Sequence, residues 1–387
     1  MLIVLWLISL TALAVFADAF IEYDPSFPYA DTLLARTQLP RWVYSWANFD
    51  GVHYLTIANK GYHGTGLIQA FFPLFPLLLW ASLQVSSVTI VSGILLNCVF
   101  FGVGLLLWWN HLEMKTDDAI LARSIIYALL LFPTSFFFFA LYTEALFFLL
   151  LVLIFRSVEK KRWIQAACLI ALATATKIVG VFLVFALLWA YLFGTDTTVP
   201  RIENLKEHLL PIVKGKWLHL VTLIGVSSSG LAGYMVYLWV VFRDPLLFFS
   251  VQAEFGGGRQ ESLILLPQVL VRYLKILLYY PTFDLIYYAS LQELVLTLLI
   301  GSCLIYGWWT RAIPRYQLIF AIPAFLLPTI TGTLSSMPRY VLVCLPAIWA
   351  LSHFVQRYPR IKFVWFVCST IVLVFNTILF VQGYWVA

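Results

Sequence analysis

Trp46-Ala-Asn-Phe-Asp50-Gly-Val-His53-Tyr-Leu-Thr-Ile-Ala-Asn-Lys-Gly61-Tyr62, followed by Phe71-Phe-Pro-Leu-Phe-Pro76, is a polar, aromatic loop in a chain otherwise built of apolar runs. On either side lie runs of the length a helix needs to cross a hydrocarbon core, about 17 to 25 residues. Read this way, the sequence predicts helices near 1–20, 88–110, 119–137, 139–155, 163–176, 178–194, 217–241, 287–308, 315–331, 339–356 and 362–384. Two further apolar pieces, 71–83 and 264–281, contain or abut Pro73, Pro76, Pro267 and Pro281. They read as re-entrant or interfacial helices, because proline removes a backbone donor and breaks a span. The expected fold is therefore all-α and polytopic, with about eleven transmembrane helices.

Composition agrees. Hydrophobic residues make up 62% of the 387-residue chain and charged residues 11%, with a mean hydropathy of +0.93; soluble domains carry about 25% charged residues. A single membrane domain over 1–387, without a large soluble one, follows. The net charge of +6 does not point to nucleic acid, because the basic residues lie in short loops where membrane orientation explains them. Cys98, Cys168, Cys303, Cys344 and Cys368 sit inside apolar runs without metal-ligand spacing and read as small buried hydrophobes. The first run, Met1 to about Phe20, lacks a basic leader and a small-residue cleavage site, which predicts an uncleaved span.

Basic residues set the expected orientation. The clusters Arg156/Lys160/Lys161/Arg162, Arg201/Lys206/Lys214/Lys216, Arg311/Arg315 and Arg357/Arg360/Lys362 fall on alternate loops and are cytoplasmic together. The first loop 21–70, the turn 138–143, the junction at Lys177, the long segment 242–286 and the turn 332–338 then share the extracytoplasmic side. The segment 195–216 is the only cytoplasmic loop of any size and reads as a solvated connector with a surface helix. No internal repeat or low-complexity tract is visible.

Six ionisable residues land on that extracytoplasmic face. Asp50 opens a helical stretch that Gly61 closes, so it is either an N-cap or, with His53 on the same face at i+3, a general base or part of an anion site. Glu144, in Tyr142-Thr-Glu144-Ala-Leu-Phe, is a bare acid at the start of an apolar helix, and Lys177 is a lone cation in Ala-Thr-Ala-Thr-Lys177-Ile. Charges at membrane depth need partners or a wet cavity, so the two form a structural pair or Lys177 binds an anion. Arg243-Asp244-Pro245 ends a span and is followed by Gln252, Glu254, the glycine run 256–258 and Arg259, which read as a mobile loop. Arg339, in Ser335-Ser-Met-Pro-Arg339-Tyr, begins another helix from the same side, as an interfacial side chain or a site residue.

These residues carry a resemblance. The stretches Phe49-Asp50-Gly-Val-His53-Tyr-Leu-Thr-Ile-Ala with Gly61-Tyr62, Ala70-Phe-Phe-Pro-Leu-Phe-Pro76, Tyr142-Thr-Glu144-Ala-Leu-Phe, Ala171-Leu-Ala-Thr-Ala-Thr-Lys177, Arg243-Asp-Pro-Leu and Ser336-Met-Pro-Arg-Tyr-Val resemble, in order, the phosphatidylinositol-glycan class V family of mannosyltransferases and its prokaryotic relatives. That family belongs to the GT-C superfold of glycosyltransferases that use polyprenyl-phosphate sugars. The chain departs from it where the family usually has Arg-Trp-Asp and this sequence has Asn48-Phe49-Asp50, an arginine where it has Lys177, and Gly-Asp-Pro where it has Arg243-Asp244-Pro245.

The resemblance implies an inverting transfer of a sugar, mannose in the family, from a polyprenyl- or dolichyl-phosphate donor. The acceptor is a lipid, glycan or protein at the extracytoplasmic or lumenal face. It implies Asp50 as catalytic base and His53, Glu144, Lys177, Asp244 and Arg339 as substrate- or donor-binding residues. No metal or other cofactor is implied, although an acidic pair such as Asp50 with Glu144 could recruit a divalent ion. The location is the cell membrane for a prokaryotic chain, the favoured case, or the endoplasmic reticulum membrane for a eukaryotic one. The alternative, a transporter or flippase, draws on the Pro-broken pieces at 71–83 and 264–281 as paired half-helices.

Overall fold

The computed structural model describes residues 1–64, 66–84, 89–116, 118–195, 205–252, 254, 264–279 and 282–386, with side chains left aside over 205–214 and at 216. Arg201, the glycine run 256–258 and Arg259 lie outside the described residues. Among the described residues every regular element is helical. Among the described residues five helices are long and apolar enough to cross a membrane: Leu2–Phe20, Thr89–Thr116, Trp217–Phe242, Leu285–Thr310 and Pro359–Val381. A sixth crossing arises if Met337–Val343 and Leu345–Gln356, bent by 87° at their junction, are one broken span. The chain thus has the long apolar helices of an integral membrane protein.

The remaining expected spans are helices, but short ones. Ala119–Leu130, Trp163–Thr174 and Phe182–Phe193 have 12 residues each, Arg315–Thr329 has 15 and Glu144–Glu159 has 16. At 1.5 Å per residue, 12 residues reach only about 18 Å of a hydrocarbon core of about 30 Å. The connector expected over 195–216 is also shorter, because the helix ending at Phe242 already begins at Leu205. The outward faces differ from expectation at two cysteines: Cys168 and Cys368 are exposed on the helix surface.

The expected helix 119–137 stops at Leu130 for an identifiable reason. Pro133 disfavours helix in the residue before it and lacks an N–H, so 131–143 runs as buried non-helical chain with one 3-10 turn at Ser135–Phe138. Buried backbone without partners is costly away from water, and here other helices supply them. Trp6 Nε1 donates to the Leu130 carbonyl at 2.8 Å, Ser369 Oγ to Leu131, and Asn376 Nδ2 to Pro133 at 2.9 Å. Asn97 Nδ2 donates to the carbonyls of Ala140 and, at 3.0 Å, Tyr142. The break is stitched at both ends, and it delivers Tyr142 and Glu144 to a defined place.

Contacts divide the bundle into two ends. At one, Leu141 N–H donates to Trp46 O, Leu74 N–H to Ala175 O, Ile264 N–H to Ile330 O and Asp24 N–H to Gln382 O. Tyr234 OH donates to Gln69 O at 2.7 Å. The loops expected to share a membrane face therefore do gather together. At the other end Lys115 pairs with Glu159 at 2.8 Å, Tyr316 OH donates to Glu159, and Gln356 reaches Asp118; the described basic loops sit there.

Helix Trp163–Thr174 and the long helix to Phe242 touch through small residues, the usual way membrane helices approach closely. A Cβ at Gly230 would run into the Ala171 carbonyl oxygen and Thr174 Oγ1, whereas Gly225 on the same helix has nothing within 4 Å. Backbone cannot swing away, and overpacking costs about 1–3 kcal/mol. Gly230→Ala is expected to lower the unfolding temperature in detergent by several degrees while Gly225→Ala leaves it in place. Equal melting of the two would mean that this helix contact is not close.

Candidate active site

Asp50 is positioned by the residues before it. Asn48, fully buried, donates through Nδ2 to the Phe380 carbonyl at 2.9 Å, tying the loop to the end of the last helix. Phe49 takes φ +58°, a conformation costly for a non-glycine residue. Its ring packs on Phe27 at 4.7 Å, Trp385 at 5.2 Å and Phe380 at 5.8 Å, contacts that hold the turn. Tyr142 OH donates to Asn48 O at 3.0 Å and accepts from the Asp50 N–H at 3.2 Å. Helix Asp50–Lys60 starts here and closes at Gly61, φ +68°, as expected. The N-cap residue, however, is Phe49, and the Asp50 carboxylate turns to another partner.

That partner is Arg339. Its Nη1 donates to Asp50 Oδ2, and its Nε lies 3.8 Å from Glu144 Oε1, which also accepts from Lys177 Nζ at 2.6 Å. Four charges from four distant segments thus form one chain: Asp50, Arg339, Glu144, Lys177. The expected Glu144–Lys177 pair forms, and it is half of a larger cluster. Burial grades along it. The Glu144 side chain is 1% exposed and Arg339 6%, while Asp50 is 21% exposed and Lys177 15%. Glu144 Oε2 and Arg339 Nε are buried without a hydrogen-bond partner. The guanidinium sits among the rings of Tyr340, Tyr142 and Phe137, 5.1, 5.2 and 5.7 Å from their centroids, an arrangement favourable to a cation.

His53 flanks the cluster, its ring stacked on Phe71 at 5.0 Å. Burial lowers its pKa from the ordinary 6.5, and the nearby Asp50 carboxylate opposes that shift. It is therefore neutral at pH 7 and offers a hydrogen bond rather than a charge. The Phe71–Pro76 segment forms the floor: Tyr54 packs edge-on against Phe71 and Phe75, and Tyr62 OH donates to Phe71 O at 2.7 Å.

Asp244 stands apart. Its carboxylate accepts from the Leu246 N–H at 2.9 Å and from Ser250 Oγ at 3.4 Å, closing an exposed turn after Arg243 at φ +62°. Asp244 thus lies outside the ion chain of Asp50, Arg339, Glu144 and Lys177, and its carboxylate closes a local turn, the usual arrangement for Asp two residues before a backbone N–H. Among the described residues no group of three or more His, Cys, Asp or Glu side chains is placed to hold a metal ion. The reading of the sequence missed Asn48, Asn97 and Tyr142, which position the cluster. Asn97 had a signal, since an amide inside an apolar run must find partners; Asn48, in the polar first loop, and Tyr142 had none.

The chain matches none of the protein-family models, curated proteins or solved structures with which it was compared.

Removing Arg339 leaves two carboxylates facing each other with Lys177 alone to offset them. Breaking a buried ion pair by deleting one partner costs about 3–5 kcal/mol. Arg339→Ala is expected to lower the thermal unfolding temperature strongly, and a second change, Glu144→Gln, to recover part of the loss. Unchanged melting of Arg339→Ala would show that the cluster does not support the fold.

Proposed function

We propose that this chain is an inverting glycosyltransferase, a mannosyltransferase by its resemblance to the class V family. On this reading it moves a sugar from a polyprenyl-phosphate donor to a hydroxyl acceptor at the extracytoplasmic face. One observation carries the reading: a partly exposed carboxylate, Asp50, is held against the buried cation Arg339, which Glu144 links to a second cation, Lys177. A transfer from a lipid phosphate needs those parts, a base reachable by the acceptor and fixed positive charge where the leaving group develops negative charge.

The chemistry then runs as a single displacement. The acceptor oxygen attacks the anomeric carbon as the bond from that carbon to the phosphate oxygen breaks, and the acceptor proton passes to Asp50. Arg339 and Lys177 stabilise the departing lipid phosphate with charge-assisted hydrogen bonds. While Arg339 donates to Asp50 the carboxylate is a weak base. A donor phosphate competing for the guanidinium loosens that hold and makes Asp50 more basic when the donor is in place. Glu144 keeps both cations aimed at one spot, and neutral His53 hydrogen-bonds the base or the donor.

On this proposal the chain forms a GT-C-like bundle of about eleven crossings, each shorter helix completing its crossing with adjoining non-helical chain. A transporter asks instead for facing half-helices. Leu74–Leu83 packs chiefly on Asp50–Lys60 and Thr89–Thr116, whereas Leu266–Tyr279 packs chiefly on Leu285–Thr310, so the main partners of the two short helices differ.

Two measurements test the proposal. Asp50→Asn keeps the size of the side chain and is expected to lower radiolabelled sugar transfer from polyprenyl-phosphate mannose by about 100- to 10,000-fold without loss of folding. Near wild-type turnover in the folded variant would remove Asp50 as base. The orientation is checked by a single cysteine at Asp31, expected to react with an impermeant thiol reagent in intact cells. Labelling only after permeabilisation would put the site on the cytoplasmic side.

A further inference from the structure

A second polar cluster lies outside the ion chain. Glu293, 4% exposed, sits within the apolar helix Leu285–Thr310, where an acid is expensive and marks a site by default. Tyr273 OH donates to Glu293 Oε2, lies 3.2 Å from Thr333 Oγ1, and accepts from the Leu334 N–H at 3.0 Å. Glu293, Tyr273 and Thr333 line a cavity of about 330 Å³, together with Ser290, Ser335 and Trp385. That is the lower end of the range for small-ligand pockets, about 300–1,000 Å³.

Two wall residues connect the cavity to the ion chain. Trp385 packs on Phe49, the residue before Asp50. Ser335 immediately precedes Ser336, the N-cap of the short helix Met337–Tyr340 that carries Arg339. The chemistry of an occupant follows from the lining. The one ionisable acid is a carboxylate, which repels a lipid phosphate, so the cavity does not suit the donor's charged group. A carboxylate with several hydroxyls and an indole suits a neutral molecule that bears many O–H donors and has an apolar ring face.

Resting on the transferase reading, we propose that this cavity is the acceptor subsite and that it takes a sugar or polyol headgroup rather than a peptide hydroxyl. Glu293 accepts hydrogen bonds from the headgroup, Tyr273 and Thr333 hold Glu293 in position, and Trp385 covers the ring. The anionic donor and the neutral acceptor then approach Asp50 from opposite sides, the first over Arg339 and Lys177, the second over Glu293.

Binding to the purified full chain in a sugar-free detergent tests this without any donor. The probes are methyl α-mannoside, octyl α-mannoside, 1-octanol and a Ser/Thr peptide, followed by titration calorimetry. Saturable binding of a mannoside is expected, weakened at least tenfold by Glu293→Gln and by Ser290→Trp, which fills the cavity. Comparable affinity for both mannosides identifies a free glycan end, and binding of the octyl form alone identifies a lipid-linked headgroup; either supports the subsite. If Ser290→Trp does not fold, Glu293→Gln and Trp385→Ala decide. No saturable mannoside binding, binding unchanged in the folded variants, or binding of the peptide instead overturns the proposal. Because the readout omits transfer, an active Asp50→Asn protein would sink the catalytic reading while leaving this result intact.

Discussion

One guanidinium has to serve two carboxylates. Glu144 is almost fully enclosed, and a lone carboxylate there would carry a desolvation penalty of several kcal/mol. Arg339 and Lys177 together make its burial tolerable, and Arg339 reaches Asp50 with its other edge. Lysine in place of Arg339 would present a single ammonium and lose that two-sided geometry. The four segments that meet here come from widely separated parts of the chain, so the cluster is also a fastening between the first loop, the middle of the bundle and the bent segment Met337–Val343.

The same demand governs the uncharged backbone. Where Pro133 ends a helix, the freed carbonyls are met by Trp6, Ser369 and Asn376 from the first and last long helices. Where the Phe49 turn adopts positive φ, four aromatic and amide contacts hold it. Irregular chain at membrane depth persists only when protein groups replace water. Here each irregular stretch ends at a charged residue of the site: 131–143 at Glu144, the Phe49 turn at Asp50, and the Ser336 turn shortly before Arg339. The breaks cost helix hydrogen bonds, and what they deliver is three charged groups on one spot.

The two clusters differ in charge. The ion chain balances Arg339 and Lys177 against Asp50 and Glu144, with His53 beside it, whereas the cavity beyond Phe49 and Ser335 holds a carboxylate among hydroxyls. On the proposed reading, such an arrangement would separate an anionic lipid phosphate from a neutral polyol before either reaches Asp50, a way to orient two substrates without a mobile lid.

Much of this was legible in order along the chain. Apolar runs placed every main helix, Gly61 placed the end of the Asp50 helix, and lysine and arginine spacing grouped the loops that share an end, because hydrophobicity and backbone freedom act locally. Charges isolated in apolar runs pointed to Glu144 and Lys177, since each must find a partner wherever the fold puts it, and the polar first loop and the turn 332–338 pointed to Asp50 and Arg339. Which partner was a matter for tertiary structure: Arg339 lies far in sequence from Asp50, and no local pattern encodes that meeting. Run length also overstated the short helices, because hydropathy measures burial and buried irregular chain such as 131–143 is as apolar as a span. Asp244 bonds within its own turn, and Glu293 was passed over because its partner Tyr273, itself held by Thr333, meets it only once the helices pack.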